Sequence, residues 1–354
     1  LFLHGRWQEN LEPAIGLKPE DRAEFQRFDD RMSEFRASGE FSIPMEQGKP
    51  GKAAELDRIS MQEWFRRQGF RSSYLDWYVN YACRDDYGAS LRETSAWAGI
   101  HYFAAREPNE QGPLTWPEGN GWIAKRLLAK LGAFVETNAP VLGVDRAGTR
   151  WKLVTLRTQY DADVVIWAAP SFVAPYVVEE LRAERHRTSF VYSPWLTANL
   201  TLDRWPANVG SEPAWDNVIY DSPSLGYVVA THQSLRTFEE RTVWTYYHSF
   251  AELTPDRARQ ELVTRDWAHW RDRVLDDLAR AHPDIRECVA RIDVMRLGHA
   301  MIRPTVGFLN APERVQSATL PRFFHAHSDH SGLSLFEEAQ YNGVMAARRA
   351  LAVG

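Results

Sequence analysis

The chain of 354 residues has only two cysteines, Cys83 and Cys288, far apart and outside any Cys-x-x-Cys pattern. No disulfide framework can be built from them, and they do not fix the redox compartment. No apolar run approaches the roughly 20 residues that cross a bilayer. The longest, residues 164–169, is short enough to be one buried strand. Positive charge is not in excess: 42 Lys and Arg stand against 47 Asp and Glu, a net charge of −5. A nucleic-acid binder needs a basic stripe, so that class is disfavoured. There is no Gly-x-Ser-x-Gly elbow and no P-loop, which weakens hydrolase and nucleotide-triphosphatase readings. The chain opens at Leu1-Phe2-Leu3-His4 with no Met and no signal-peptide pattern. The expectation is a natural start further upstream, with any targeting signal lost alongside it, so that a cytoplasmic location and export to the periplasm both stay open.

Hydrophobic residues make up 44% and charged residues 25%, both ordinary for a soluble globular protein. The length suggests two domains, or one with a large insertion, and a core that needs no staples. Aromatic residues are many, with 14 Trp, 13 Tyr and 17 Phe. They serve a large core, or an aromatic pocket for a flat cofactor or apolar substrate.

Apolar spacing predicts a helix over 17–39, with Phe25, Phe28, Met32 and Phe35 on one face and Gly39 ending it. Residues 45–55 read as a loop. Ser60, with Glu63 three residues on, caps a helix that Gly69 closes. Residues 72–83 form another helix. The pattern changes at Leu114. After a turn-rich loop, a helix carries Ile123, Leu127, Leu128 and Leu131 on its apolar face and stops at Gly132. Short strands are expected at 133–137, 141–146 and 151–156, and a buried one at 163–167. An antiparallel sheet is expected from 198–202, 217–220, 226–231 and 242–248. A single helix spans 254–281, with Leu262, Trp270, Val274 and Leu278 inward. Strands at 289–297 and 323–327 and a helix at 337–352 complete the chain.

Three segments bear on function. Trp116-Pro117-Glu118-Gly119-Asn120-Gly121-Trp122 opens a helix, and its glycines let another group approach the backbone; alone it is equally a plain turn. In Asp161-Ala162-Asp163-Val164-Val165-Ile166-Trp167-Ala168-Ala169-Pro170, a buried strand runs into small residues. Small side chains at the carboxyl end of a strand leave room for a cofactor, although any buried strand with a tight exit looks similar. In Phe323-Phe324-His325-Ala326-His327-Ser328-Asp329, a strand delivers a carboxylate to a loop before an Ala-rich helix. Such a carboxylate accepts hydrogen bonds from hydroxyls.

In this order the three segments resemble the flavin amine oxidase superfamily, which includes phytoene desaturases and protoporphyrinogen oxidases. The resemblance covers 114–175 and 320–354 and rests between them only on element order. It implies a mixed α/β (α+β) fold, with an incomplete Rossmann-like FAD-binding domain interleaved with a substrate domain of helices and antiparallel sheet. The pieces would be 1–113, the helical part of the substrate domain; 114–175, FAD domain; 176–297, the substrate sheet; and 298–354, FAD domain again. The implied cofactor is FAD and the implied partner a small organic molecule, an amine or a desaturable compound. By position, Asp329 is similar to the acidic residue at the ribityl or pyrophosphate, and Val141 to the valine at adenine. Ala168, Ala169 and Pro170 resemble the wall beside the cofactor. Ser334 and Leu335 fall where the last helix faces the isoalloxazine ring, Gly119 and Gly121 in the loop that opens a helix. Trp116, Asn120 and Tyr87 are the implied substrate-pocket residues. No catalytic base is implied.

The sequence departs from that pattern in three places. No Gly-x-Gly-x-x-Gly βαβ unit precedes residue 114, so the chain alone is expected to bind FAD poorly. His327 and Ser328 stand where glycine is usual. Trp195-Leu196-Thr197-Ala198-Asn199-Leu200 holds no flavin-facing lysine. Other readings stay open. A flavin enzyme of the same fold could be a non-redox isomerase or mutase, and the chain could be an inert scaffold. His325, His327 and Asp329 alternate, with His330 beside them, and could ligate a metal. Arg84-Asp85-Asp86-Tyr87-Gly88 is either a solvated helix end or the lining of a substrate cavity.

Overall fold

A computed structural model describes residues 1–49, 51–106, 115–185, 188–234, 239–316 and 320–353. The first region is helical, as the spacing predicts, after an unforeseen hairpin of β1 (Phe2–Leu3) and β2 (Arg6–Trp7). Its turn uses positive φ at His4 and Gly5, the mark of a two-residue hairpin loop. Then come α1 (Pro19–Ser38), α2 (Met61–Gln68), α3 (Ser73–Tyr87) and α4 (Ala96–Ala104). Ser60 caps α2 through the Glu63 N–H, and Gly39, Gly69 and Gly88 close α1 to α3 in the left-handed conformation. Helix α3 runs four residues past the expected Cys83. At its end Gly88 has a structural reason: a Cβ there would meet Ser193 Oγ at 2.2 Å and Trp195 Nε1 at 2.8 Å. The helices share one core built on Phe28, Met61, Leu75 and Ile100. The change of pattern at Leu114, with its domain boundary at 113/114, lies outside the described residues.

Helix α5 (Gly121–Leu131) precedes an antiparallel meander of β3 (Val141–Ala147), β4 (Arg150–Thr155) and β5 (Gln159–Ala162). Residues 133–137, expected as a strand, find no partner among the described residues and stay irregular after a short turn. Strand β6 (Val165–Trp167) and the short α6 (Ala174–Val177) follow.

The second core is a five-stranded antiparallel sheet in the order β11-β7-β10-β9-β8. Its strands are β7 (Val191–Leu202), β8 (Asp216–Asn217), β9 (Gly226–Val229), β10 (Thr242–His248) and, after the helices below, β11 (Val289–Arg303). Alternation along β10 is strict: Thr242, Trp244, Tyr246 and His248 are buried and the residues between are half-buried. Two helices, α7 (Pro255–Thr264) and α8 (Trp267–Ala279), replace the single helix expected over 254–281. Asp266 breaks it by accepting the His269 N–H at 2.9 Å as a new N-cap. Leu262, Trp270, Val274 and Leu278 point into the sheet's core as expected. The short α9 (Ile285–Cys288) leads into β11, which continues six residues beyond the expected Leu297 and so crosses the 297/298 boundary.

The chain closes with α10 (Pro312–Gln316), β12 (Phe323–His325) and α11 (Phe336–Val353). Strand β12 lies parallel to β6, with Phe323 opposite Val165 and His325 opposite Trp167. Segments more than 150 residues apart in sequence thus form one parallel pair. Trp151 from the meander seals the pair against Phe323 and donates its indole N–H to the Pro321 carbonyl at 3.1 Å. No helix is long and apolar enough to cross a membrane among the described residues.

Candidate functional site

The parallel pair brings the second and third segments together. Strand β6 ends in Ala168, which is exposed, and in Ala169 and Pro170, which are half-buried. The next N–H, of Ser171, donates to Asp329 Oδ2 at 2.8 Å. The Tyr192 hydroxyl, from β7, donates to the same oxygen at 2.9 Å. His327 Nδ1 lies 3.2 Å from Oδ1. Asp329 is therefore a buried junction between the end of β6, the loop after β12 and the antiparallel sheet. Burial pushes its carboxyl up, but the bonds from His327, Ser171 and Tyr192 outweigh burial and hold it below the usual range. Burial, and then the carboxylate it faces, raise the Tyr192 phenol.

The expected strand over 323–327 stops at His325, because Ser328 to His330 turn into a single 3-10 turn. His325, His327 and Asp329 therefore do not alternate along a strand. His325 and His330 instead lie ring to ring at 4.7 Å. Among the described residues no three His, Cys, Asp or Glu side chains converge on a metal position.

Ser334 is exposed and Leu335 half-buried, just before the N-terminus of α11. The first N–H groups of a helix this long favour electron-rich partners. Val141 begins β3 opposite Thr155, with its side chain partly exposed. The loop before α5 lies elsewhere. Gly119 faces Gln233 Oε1, with a built Cβ 3.9 Å from it, and Gly121 has nothing within 4 Å. Asn120 is exposed, and Trp116 stacks on Trp122 at 4.6 Å. No residue of α5 is buried, so the apolar face read at Ile123, Leu127, Leu128 and Leu131 is not covered by the described residues.

Tyr87 is not in a pocket. It is 1% exposed in the helical core and its hydroxyl donates to the Ala98 carbonyl at 2.7 Å. Helical spacing turns the two preceding residues the other way. Asp85 and Asp86 are half-buried and Asp216, from β8, has open surface, yet burial raises all three. Asp85 is pushed up to about 6 by burial, with Arg106 and Arg84 opposing. Burial and then Asp85 push Asp86 and Asp216 up to about 7. Asp85 lies near enough to raise both Asp86 and Asp216, so the three carboxyls form one acidic group where α3 faces β8. Arg106 sits at its side, 3.6 Å from Asp86 and 4.1 Å over the Tyr102 ring. Tyr81, Trp195 and Tyr247 belong to one cluster beside it, with Tyr81 buried and its hydroxyl donating to the Leu225 carbonyl at 3.3 Å. Asp216 and Tyr247 were missed in the sequence, because only the sheet brings them opposite α3.

No family model matches the chain, and no curated protein does. Solved structures do. A putrescine oxidase bound to putrescine matches at a TM-score of 0.70 with 14% identity, over 96% of this chain and 77% of that one. Cyclohexylamine oxidase from Brevibacterium oxydans matches at 0.65 with 12% identity, over 98% and 77%. A fatty acid isomerase from P. acnes that produces CLA matches at 0.61 with 14% identity, over 95% and 76%. The fold is thus the mixed helix and sheet architecture of these amine oxidases and of the isomerase. The resemblance drawn from three short segments holds for nearly the whole chain at the level of fold.

Proposed function

We propose that this chain acts in the FAD-dependent oxidation of an organic amine, with a hydride leaving a C–H bond next to nitrogen. The observation that carries the reading is the 2.8 Å bond from Ser171 to Asp329. It fixes the small-residue end of β6 against the loop before α11, the arrangement a dinucleotide cradle requires. The residues fit FAD on chemical grounds. Ala168, Ala169 and Pro170 form a wall without bulky side chains, and Ser334 and Leu335 stand at a helix N-terminus. Val141 belongs to the meander that packs on the same pair. Gly119 and Gly121 are assigned to a cofactor-approach loop, and Trp116 and Asn120 to the substrate's path. Asp329 acts by holding the corner, since its oxygens already meet protein donors. When bound, FAD supplies the two-electron acceptor.

The recess of Asp85, Asp86 and Asp216 selects the substrate. Three carboxyls attract an ammonium group through charge, and the half-buried Tyr247 offers a ring nearby. A carboxyl at about 7, such as Asp216, is matched to take the ammonium proton near neutral pH. The amine must lose that proton before hydride can leave its carbon. This recess, more than the fold, favours an amine over a neutral desaturable compound.

Anaerobic titration of the FAD-saturated protein with putrescine and cyclohexylamine tests the reading. Loss of the oxidised-flavin absorbance is expected. An unchanged spectrum with both amines, alongside turnover of a double-bond isomer, points to the non-redox isomerase. Because the chain alone is expected to bind FAD poorly, FAD is supplied in large excess, and weak uptake by itself counts against neither reading.

A further inference from the structure

A cavity of about 680 Å³ opens between α6, the start of β7, α7 and the loop after β12. That size lies within the range of small-molecule sites. None of Val141, Ala168, Ala169, Pro170, Asp329, Ser334 or Leu335 lines it, and neither do Asp85, Asp86 and Asp216. It adjoins the cradle's corner, since Ser171 and Tyr192 line it and bond Asp329, and it shares no residue with the acidic recess.

Its walls are aromatic and its arginines are hydrogen-bonded within the protein. Phe172 stacks on His299 at 4.5 Å with 24° between planes, and Tyr192 stands edge-on to Phe172 at 5.0 Å. Arg259 is held by Asp256 at 2.7 Å and by the carbonyls of Tyr192 and Gly298. Arg185 donates to the Pro175 and Tyr176 carbonyls. Glu313 accepts from the N–H and hydroxyl of Ser189. One lining acid, Glu184, has no hydrogen bond or ion pair among the described residues. A ligand here needs no counter-charge for the arginines; it needs a flat face for the rings and one donor for Glu184.

We propose that this cavity is a second binding site, for an uncharged flat aromatic molecule that carries a hydroxyl donor, of the phenol or naphthol class. The ring lies against Phe172, His299 and Tyr192, and the hydroxyl donates to Glu184. The site does not depend on the flavin reading, because none of the assigned cofactor residues lines it and its occupancy is measured without FAD.

The test is equilibrium dialysis of the full chain with 2-naphthol. Saturable binding of one molecule per chain is expected. Glu184→Leu, at an exposed position, removes the acceptor and weakens binding about tenfold, the scale of a hydrogen bond to a charged acceptor. Thr188→Trp fills the mouth and abolishes binding, while far-UV circular dichroism confirms that the chain still folds. Anionic 2-naphthalenesulfonate, repelled by Glu184, binds at least tenfold more weakly. Absence of saturable 2-naphthol binding overturns the proposal. So does unchanged affinity in Glu184→Leu, or equal affinity for the sulfonate.

Discussion

In β7, Leu196, Leu200 and Leu202 lie in a core with Trp244 and Trp270, and none is more than 1% exposed. In α5, Leu127, Leu128 and Leu131 recur at the right spacing for a buried face, yet each keeps about half of its surface in water, 51%, 49% and 48%. Phe134, just beyond, is 91% exposed. The antiparallel sheet has five strands and two covering helices; the parallel sheet has the two strands β6 and β12, with Ile166 partly exposed. A parallel sheet is normally covered on both faces. Apolar periodicity reveals which face of an element avoids water. It does not reveal whether anything covers that face, since the cover comes from elsewhere in the chain or beyond it.

Truncation in the closed half should separate the two regions most. Trp244 is fully buried and stacks on Tyr227 at 4.0 Å. Trp244→Ala is expected to cost about 3–5 kcal/mol in urea unfolding, the usual cost of removing a buried aromatic side chain. A cost under about 1 kcal/mol would show that the antiparallel core is loose, and the contrast with α5 would disappear.

The junction between the regions comes next. Asp329→Asn removes a charge that three groups stabilise, and is expected to cost about 1.5–3 kcal/mol at pH 7. The folded carboxyl sits below its unfolded value, so its stabilisation is present above about pH 4 and lost as pH falls through the folded value. Wild type and Asp329→Asn should therefore converge in stability once the pH falls below the folded carboxyl's depressed value. A gap that persists in acid would mean that the variant fails through packing, and that the corner is not held by charge.

The acidic recess behaves with opposite sign. Asp85, Asp86 and Asp216 sit above their unfolded values. The folded state then holds the extra protons, and stability falls as pH rises from about 4 through 7. Asp85→Asn should raise the melting temperature, and the gain should grow over that window. A cationic amine should raise the melting temperature of wild type more than that of the variant. A gain independent of pH would show that the three carboxyls do not share a recess.

Much of this was legible in advance, for identifiable reasons. The caps Ser60 and Gly39 and the span of β10 follow from local chemistry that tertiary contacts did not disturb. The pairing of β6 with β12 was legible only by resemblance, since nothing local links residues 165 and 323. The break at Asp266 was readable: an Asp three residues before a helical N–H is a capping signal, overridden in the reading by the longer apolar period. Tyr87 was misplaced because an aromatic beside charges looks like a pocket wall. In α3 the charged neighbours turn toward the recess, and the ring turns into the core. Asp216 carries no local signal at all, because its role exists only once β8 lies across from α3.

The smallest effect bears most directly on the open region. If the half-exposed leucines of α5 contribute little to this chain's own stability, Leu128→Ala should change it by less than about 0.5 kcal/mol, as for surface substitutions elsewhere. The side chain has no surrounding core to collapse into, so no cavity is created and only a fraction of its transfer free energy is lost. Ala also forms helix better than Leu, which offsets part of that loss. Leu128→Lys should be similarly mild for folding but should lower light scattering at high concentration, because it breaks an exposed apolar stripe. A cost near 2 kcal/mol for Leu128→Ala would show instead that α5 is covered in solution. The contrast between a closed antiparallel half and an open parallel half would then hold only for the isolated chain.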